Sequence, residues 1–285
     1  MAFEHGITRN PLPIIEHNGV FDRVVVMPHT RGGSVVTFWL DSRRFVVAGP
    51  YTFYLEWAEH PDADFEEIAG PTSENTLTDS EQRRFSKLPH SVYRVRVTTP
   101  SGDFYSAPHL VMGNWNRHDY LVAREVVRRE YLLLARYSGT RGIYLGRKQW
   151  GEICTACADY NTDMPTDSHC TTCYGTGFVG GYHSPSVLYL GEDRLSVRAE
   201  RKENIGVVND QMQTVRAVAC PFLTAKDVWA NLETGERWSI ERKRELVALR
   251  GAPLVWAVEI RMIEPNAIEY DIPLESSGDA SSSSS

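Results

Sequence analysis

Leu88-Pro89-His90-Ser91-Val92-Tyr93-Arg94-Val95-Arg96-Val97 decides how the first part of this chain is read. β-Branched and aromatic residues crowd its second half, Pro89 stands just ahead, and Pro100-Ser101-Gly102 follows as turn material, so 92–97 reads as a strand. Working outward, 24–26, 35–40, 45–47 and 51–57 share that composition. Arg31-Gly32-Gly33, Ala48-Gly49-Pro50 and Pro61-Asp62 separate them. Short strands at this spacing predict an antiparallel sandwich over 20–112, preceded by an N-terminal arm, 1–19.

With Gly102 and Ser106-Ala107-Pro108 added, the quoted stretch resembles the last two strands of a fibronectin type III domain. The resemblance implies that Tyr93 makes a corner near the strand start and that alternate valines enter the core. Leu55 and Trp57 would fill other core positions.

From 117 to 137 the period changes. At ~100° per residue, Val122, Ala123, Val126, Val127, Tyr131, Leu133 and Leu134 share one broad face, and Arg124, Glu125, Arg128, Arg129 and Arg136 take the other. An Asn114-Trp-Asn116 start and a Ser138-Gly139 finish bound a helix over 114–139, long enough to connect two domains.

Five cysteines follow a pattern of thiols rather than disulfides. Cys154, Cys157, Cys170 and Cys173 form C-x2-C-x12-C-x2-C, while Cys220, before Pro221, reads as a small buried apolar residue. Each C-x2-C knuckle sets two thiolates on one side of a tight turn. The spacer lets the second pair fold back and complete a tetrahedron around Zn2+, with Zn–S near ~2.3 Å. Four thiolates leave no open position, so the predicted zinc is structural and 140–185 is a zinc ribbon. Cys170 to Gly177 also reads C-x2-C-x-G-x-G and resembles one repeat of the cysteine-rich region of DnaJ-type chaperones. A single unit implies no chaperone, and its glycines serve the positive φ that a knuckle needs.

Sharper readings of the same residues fail on context. Gly175-Thr-Gly177-Phe-Val-Gly180 matches G-x-G-x-x-G but follows a knuckle, and Gly181 and Pro185 oppose the helix that dinucleotide binding requires. A zinc deaminase needs H-x-E and P-C-x-x-C, which are missing. His169 and His183 are candidate replacement ligands, though four cysteines already fill the sphere. The hydrolase, phosphate-loop and metalloprotease signatures are absent, and Asp62 and Asp64 lie in an acidic turn. No catalytic residue is assigned, and the chain is read as a non-enzyme.

Strands return at 187–190, 195–199, 215–220, 228–230, 237–240 and 254–261, with Asn231-Leu-Glu-Thr-Gly235 as a hairpin loop. A small β-barrel over 186–270 fits them, and the Ser-rich 271–285 reads as a disordered tail. The expected fold is therefore mainly β. Length agrees, since 285 residues make about two domains at ~150 residues each. With 42% hydrophobic and 24% charged residues the chain can bury ordinary cores. Its apolar runs fall short of the ~18 residues of a membrane span, and the N-terminus carries no secretory pattern, so a cytosolic origin and no membrane partner are expected. Net charge is −7 and the pI 5.7. Only 114–148 is basic, which limits DNA to local contact.

Arg124-Glu-Val-Val-Arg128-Arg-Glu-Tyr-Leu-Leu-Leu, running into Gly142-x-Tyr-Leu-Gly-Arg-Lys and through both knuckles to Tyr182-x-x-Pro185, is similar to tailed-bacteriophage virion proteins of the head-to-tail junction. Asp227-Val-Trp229, Thr234-Gly-Glu-Arg-Trp238-Ser-Ile and Gly251-Ala-Pro-Leu-Val-Trp-Ala-Val-Glu-Ile-Arg resemble the small β-barrel of phage head-closure and connector proteins. The resemblance implies a neck, collar or connector subunit that forms a ring with itself below the portal. Portal and tail-terminator proteins would be its partners and DNA would pass through its channel. The virion, assembled in the bacterial cytoplasm, would be its location. Two other functions compete. A zinc-ribbon nucleic-acid-binding protein would use Arg124, Arg128, Arg129, Arg141, Arg147 and Lys148, and an enzyme would need an active site assembled from distant residues.

Overall fold

Alternation in the first strands builds the N-terminal module. β1 (Phe21–Pro28) pairs antiparallel with β2 (Ser34–Leu40), and β2 with β5 (Thr76–Asp79). A second sheet has the order β4-β3-β6-β7, from β3 (Thr52–Ala58), β4 (Glu66–Thr72), β6 (Val92–Thr99) and β7 (Gly102–Tyr105). Val36, Phe38 and Leu40 from one sheet meet Phe53, Leu55, Val95 and Val97 from the other in a single buried cluster. The Phe38 and Phe53 rings lie 4.6 Å apart. Leu55 is thus a core residue as expected, while Trp57 is only half-buried at the margin. The Tyr93 hydroxyl donates to Asp79 Oδ2 at 2.9 Å, tying the start of β6 to the end of β5.

The computed structural model describes residues 20–28, 33–41, 49–80, 91–111, 116–157, 166–192, 202–203, 206–207, 212–219 and 221–274. The arm 1–19, the strands expected at 45–47 and 195–199, Cys220 and residues 275–285 lie outside that set.

Asn116 caps α1 (Arg117–Leu133) in a reciprocal box: its side chain accepts from the Asp119 N–H at 2.9 Å, and Asp119 accepts from the Asn116 N–H at 3.3 Å. The buried stripe is narrower than the sequence suggests. Tyr120, Ala123, Val127, Glu130 and Leu134 are buried, whereas Val122 and Leu133 are exposed. A carboxylate in that stripe needs a partner, and Glu130 has one in Arg216 of the barrel, whose Nη2 donates at 3.0 Å. A π-helical turn, Leu134–Ser138, ends the helix.

The second half closes into a six-stranded barrel of order β12-β15-β14-β13-β8-β9. Its strands are β8 (Gly139–Leu145), β9 (Ser186–Glu192), β12 (Met212–Val218), β13 (Val228–Asn231), β14 (Arg237–Leu249) and β15 (Ala252–Met262). A short pair, β10 (Lys202–Glu203) and β11 (Gly206–Val207), lies between β9 and β12 in the chain. Trp229 reaches across β8 to donate to the Leu188 carbonyl at 3.1 Å. A Cβ at Gly142 would come within 2.3 Å of that indole, so only glycine fits beneath it.

This places the barrel's beginning earlier than expected. The sequence reading put 140–185 in the ribbon, but Gly139–Leu145 pairs with both β9 and β13. The cysteine module is therefore an insertion between two neighbouring barrel strands. Asp271, Ile272 and Leu274 also fall inside the fold rather than in a tail: a 3-10 turn spans Ile268–Asp271, Ile272 is buried, and Leu274 packs beside it.

The two halves are not beads on a helical spacer. Trp150, Ala252, Leu254 and Val255 sit in the same apolar cluster as the N-terminal core. From the other side, Val25, Met27 and Trp39 join the barrel cluster. Both faces of β2 are covered, which explains why it is buried at every residue instead of alternately.

Candidate metal centre

β8 delivers the chain into the module and β9 takes it away, with the two ends laced together at the base. Arg147 bridges Tyr182, the Lys148 N–H donates to the Gly181 carbonyl at 2.9 Å, and the His183 N–H donates to Gly146 at 2.8 Å. Further out, Ile153 bridges Phe178, and the Cys154 N–H reaches the Gly177 carbonyl at 2.8 Å. The first knuckle is thereby held against the segment that follows the second.

The second knuckle turns tightly. The Tyr174 N–H donates to Cys170 O at 2.8 Å and the Thr176 N–H to Cys173 O at 3.0 Å. Tyr174, Gly175 and Gly177 have φ of 48°, 71° and 87°. The glycines thus occupy left-handed positions, as the sequence reading required, and a Cβ at Gly175 would also sit 2.9 Å from the Ser168 carbonyl oxygen. Gly180 is at φ 78° in a further turn and β9 follows, so the G-x-G-x-x-G opens no helix.

All four predicted ligands come together. The Sγ atoms of Cys154, Cys157, Cys170 and Cys173 lie within 4.8 Å of one another, and all four residues are buried. Cys154 and Cys170 are separated by 3.8 Å and Cys157 and Cys173 by 3.3 Å. A disulfide has S–S near ~2.05 Å, so these are separate thiols. A tetrahedron with metal–sulfur bonds of ~2.3 Å has edges of ~3.8 Å, and the observed separations bracket that value.

Electrostatics agrees with the geometry. Burial pushes the Cys157 and Cys154 thiols up. The N–H groups of Cys173 and Thr172, aimed at Cys170, pull its thiol down to about 6. Four buried thiolates repel one another without a cation among them. The donor set therefore fits a thiophilic metal ion such as zinc, held on all sides by protein.

Neither candidate histidine joins the cluster. His169 is exposed beside Ser168, whose Oγ lies 3.1 Å from its Nδ1. His183 is buried, with Nδ1 3.2 Å from Glu74 Oε2, and Ser184 N–H donates to the same oxygen at 3.0 Å. Burial opposes ionisation of Glu74, but His183 and the Ser184 hydroxyl and N–H hold its carboxyl down to about 2. Asp62 and Asp64 are exposed, with Asp62 3.5 Å from His60.

The basic residues are mostly engaged by the fold. Arg128 and Arg129 pair with Glu125 at 2.8 and 2.7 Å. Arg147 donates to Gly175 O at 3.2 Å and Lys148 to Val179 O at 3.0 Å, so these two cations brace the module. Arg141 is exposed on β8.

Sequence reasoning missed the residue that anchors the module from below. Asp227 is fully buried, and its carboxylate accepts from the Tyr144 hydroxyl at 2.7 Å, the Arg147 N–H at 2.9 Å and the Thr224 hydroxyl at 2.9 Å. A lone aspartate ahead of a strand carries no signal of that role, although Thr224 three residues earlier marks a local turn.

No helix among the described residues is long and apolar enough to cross a membrane. Comparison with protein families, curated proteins and solved structures finds no match to this chain.

Proposed function

We propose that the protein is a structural subunit of a tailed-phage neck ring that joins head and portal to tail, with Zn2+ closed in the four-cysteine set as a clamp. The observation that carries this reading is mechanical. A buried thiol cluster staples an insertion between adjacent barrel strands, while the barrel and N-terminal module share one apolar cluster. A shared core of this kind lets load pass between the two modules. Stretches that resemble neck and connector proteins fall at its joints: Cys173–Tyr182 in the stapled module, Trp229 over Gly142, and Trp238 opposite Trp229 in the β13–β14 hairpin.

In this reading the N-terminal module is fibronectin type III-like and decorates the ring's exterior. Its three-plus-four strand order and the Tyr93 tie to Asp79 support that. Nucleic-acid binding is the weaker reading, because Arg128, Arg129, Arg147 and Lys148 already have partners.

Electron microscopy of particles with and without the protein tests the proposal. Loss of joined, DNA-filled, tail-bearing necks is expected. Intact necks in its absence, or tight salt-dependent DNA binding by the free monomer, would overturn it.

A further inference from the structure

The thiols of the cysteine module form two pairs that cross from one knuckle to the other. Cys154 Sγ lies 3.8 Å from Cys170 Sγ, and Cys157 Sγ lies 3.3 Å from Cys173 Sγ. A disulfide needs ~2.05 Å, so each pair stands within about 1–2 Å of bonding distance. Coverage divides the same way. Cys170 and Cys157 are 8% and 6% exposed, whereas Cys154 and Cys173 are at 0%. Each pair therefore joins a cysteine at the margin of the cluster to one at its centre.

The backbone fixes the closer pair. Cys157 O accepts from both the N–H and the hydroxyl of Thr166, at 2.8 and 2.7 Å. Cys173 O accepts from both groups of Thr176, at 3.0 and 2.8 Å. One threonine thus holds the peptide of each cysteine, independently of anything bound among the sulfurs.

We propose that oxidation converts this site from a metal clamp to a disulfide clamp, joining Cys157 to Cys173 and Cys154 to Cys170 as the metal leaves. The oxidant is a hydroperoxide, with hydrogen peroxide the simplest of its class. In each pair the marginal thiolate attacks one peroxide oxygen, the O–O bond breaks, and a sulfenic acid and hydroxide form. The central thiolate then attacks that sulfur, making the S–S bond and displacing a second hydroxide. Two peroxides thereby accept the four electrons that turn four thiolates into two disulfides, and Zn2+ departs with four hydroxides. A resolving sulfur at 3.3 or 3.8 Å intercepts the sulfenic acid before it climbs to the irreversible sulfinic state.

The pairing decides the consequence. Bonds inside a knuckle, Cys154 to Cys157 and Cys170 to Cys173, would leave the two halves of the module free to part once the cation was gone. Cross-knuckle bonds keep them together, so the insertion between β8 and β9 stays closed in both redox states. The occasion for the change rests on the phage reading. A subunit assembled among reduced thiols is released with its particle into an oxidising medium, where a clamp held by metal alone is open to loss.

The test uses the purified full chain loaded with Zn2+ and treated with hydrogen peroxide beside a zinc-sensitive dye, followed by peptide mapping without reduction. Zinc release with Cys154–Cys170 and Cys157–Cys173 linkages is expected. Limited proteolysis of the oxidised chain should cut 146–185 within about twofold of the zinc-bound rate, whereas chelation without oxidant should speed cutting about tenfold or more. Dithiothreitol with added zinc should restore the starting state. The proposal is overturned by a chain that takes up no zinc, by zinc and free thiols retained under peroxide, or by linkages within a knuckle or to Cys220. Sulfonic acids in place of disulfides, or an oxidised module cut as fast as the chelated one, also overturn it. All of these concern the chain alone and leave the ring standing, whereas the expected linkages with intact necks in the protein's absence would sink the ring reading alone.

Discussion

Replacing Trp150 with Ala should unfasten the cysteine module from the rest of the protein. Trp150 lies four residues before Cys154, yet its indole packs among Phe53 at 5.1 Å, Tyr51 at 6.0 Å and Phe38 at 6.4 Å between ring centroids. It is buried, and the surrounding cluster is the core of the N-terminal sheets. Removing a buried tryptophan costs about 3–5 kcal/mol through lost transfer energy and the cavity left behind. For a protein of this size that corresponds to a fall in melting temperature of about 10 °C. The informative assay couples two perturbations. In the unaltered protein, a strong chelator should lower the melting temperature of the N-terminal sheets as well as the module, because a loosened module withdraws Trp150. In Trp150→Ala the chelator should affect the module alone. A cost below about 1 kcal/mol, or identical chelator shifts in both proteins, would refute the idea that this ring joins metal site and sheets into one cooperative unit.

Cys170→Ser should lower metal content from one ion per chain and make 146–185 susceptible to limited proteolysis; an unchanged digest with full metal content counts against the clamp. Arg216→Met should destabilise by about 1–3 kcal/mol in denaturant melts, since the pair is partly open to solvent and its loss leaves the Glu130 carboxylate without its cation. Glu74 is held at about 2 in the fold against an ordinary 4.5, so the stability it contributes is complete above pH 4.5 and lost as pH falls towards 2. Glu74→Gln should flatten that part of the acid-stability curve, and an unaltered curve would show that the His183 and Ser184 contacts do not form in solution. Gly175→Val should cost on the order of 1–3 kcal/mol, read as earlier metal loss on chelator titration, because valine is strained at φ 71° and its Cβ meets the Ser168 carbonyl.

The metal centre was legible because its chemistry is local: two knuckles, a spacer and the glycines after Cys173 state the turn geometry directly. Strands with strong β-branched content, such as β2, β3 and β15, were legible for the same reason. β4 was not, since Glu66-Glu67-Ile68-Ala69-Gly70-Pro71 carries little apolar signal for an exposed edge. β8 was missed because Gly139, Thr140 and Gly142 weaken its pattern, and the need for glycine at 142 comes from Trp229, far along the chain. Helical periodicity overestimated the buried face of α1. Placing Val122 and Leu133 on that one broad face left out that a carboxylate, Glu130, can occupy the buried stripe when Arg216 arrives from another element.

Forty residues separate Leu145 from Ser186, yet β8 and β9 pair as the two arms of a hairpin. Closing a loop of forty residues rather than four costs about 2 kcal/mol more in chain entropy. The lacing at Arg147–Tyr182, and a metal held by the four cysteines, would return the loop to the behaviour of a short turn. Beyond the two points where the module enters and leaves, the rest of the fold meets it through Trp150 and Tyr174, so a replacement that presents the same ends and keeps those two side chains in place should serve. A compact foreign domain of that kind, with termini one strand spacing apart, should be accepted there, which makes this hairpin a port for building new surface onto the barrel without redesigning its core.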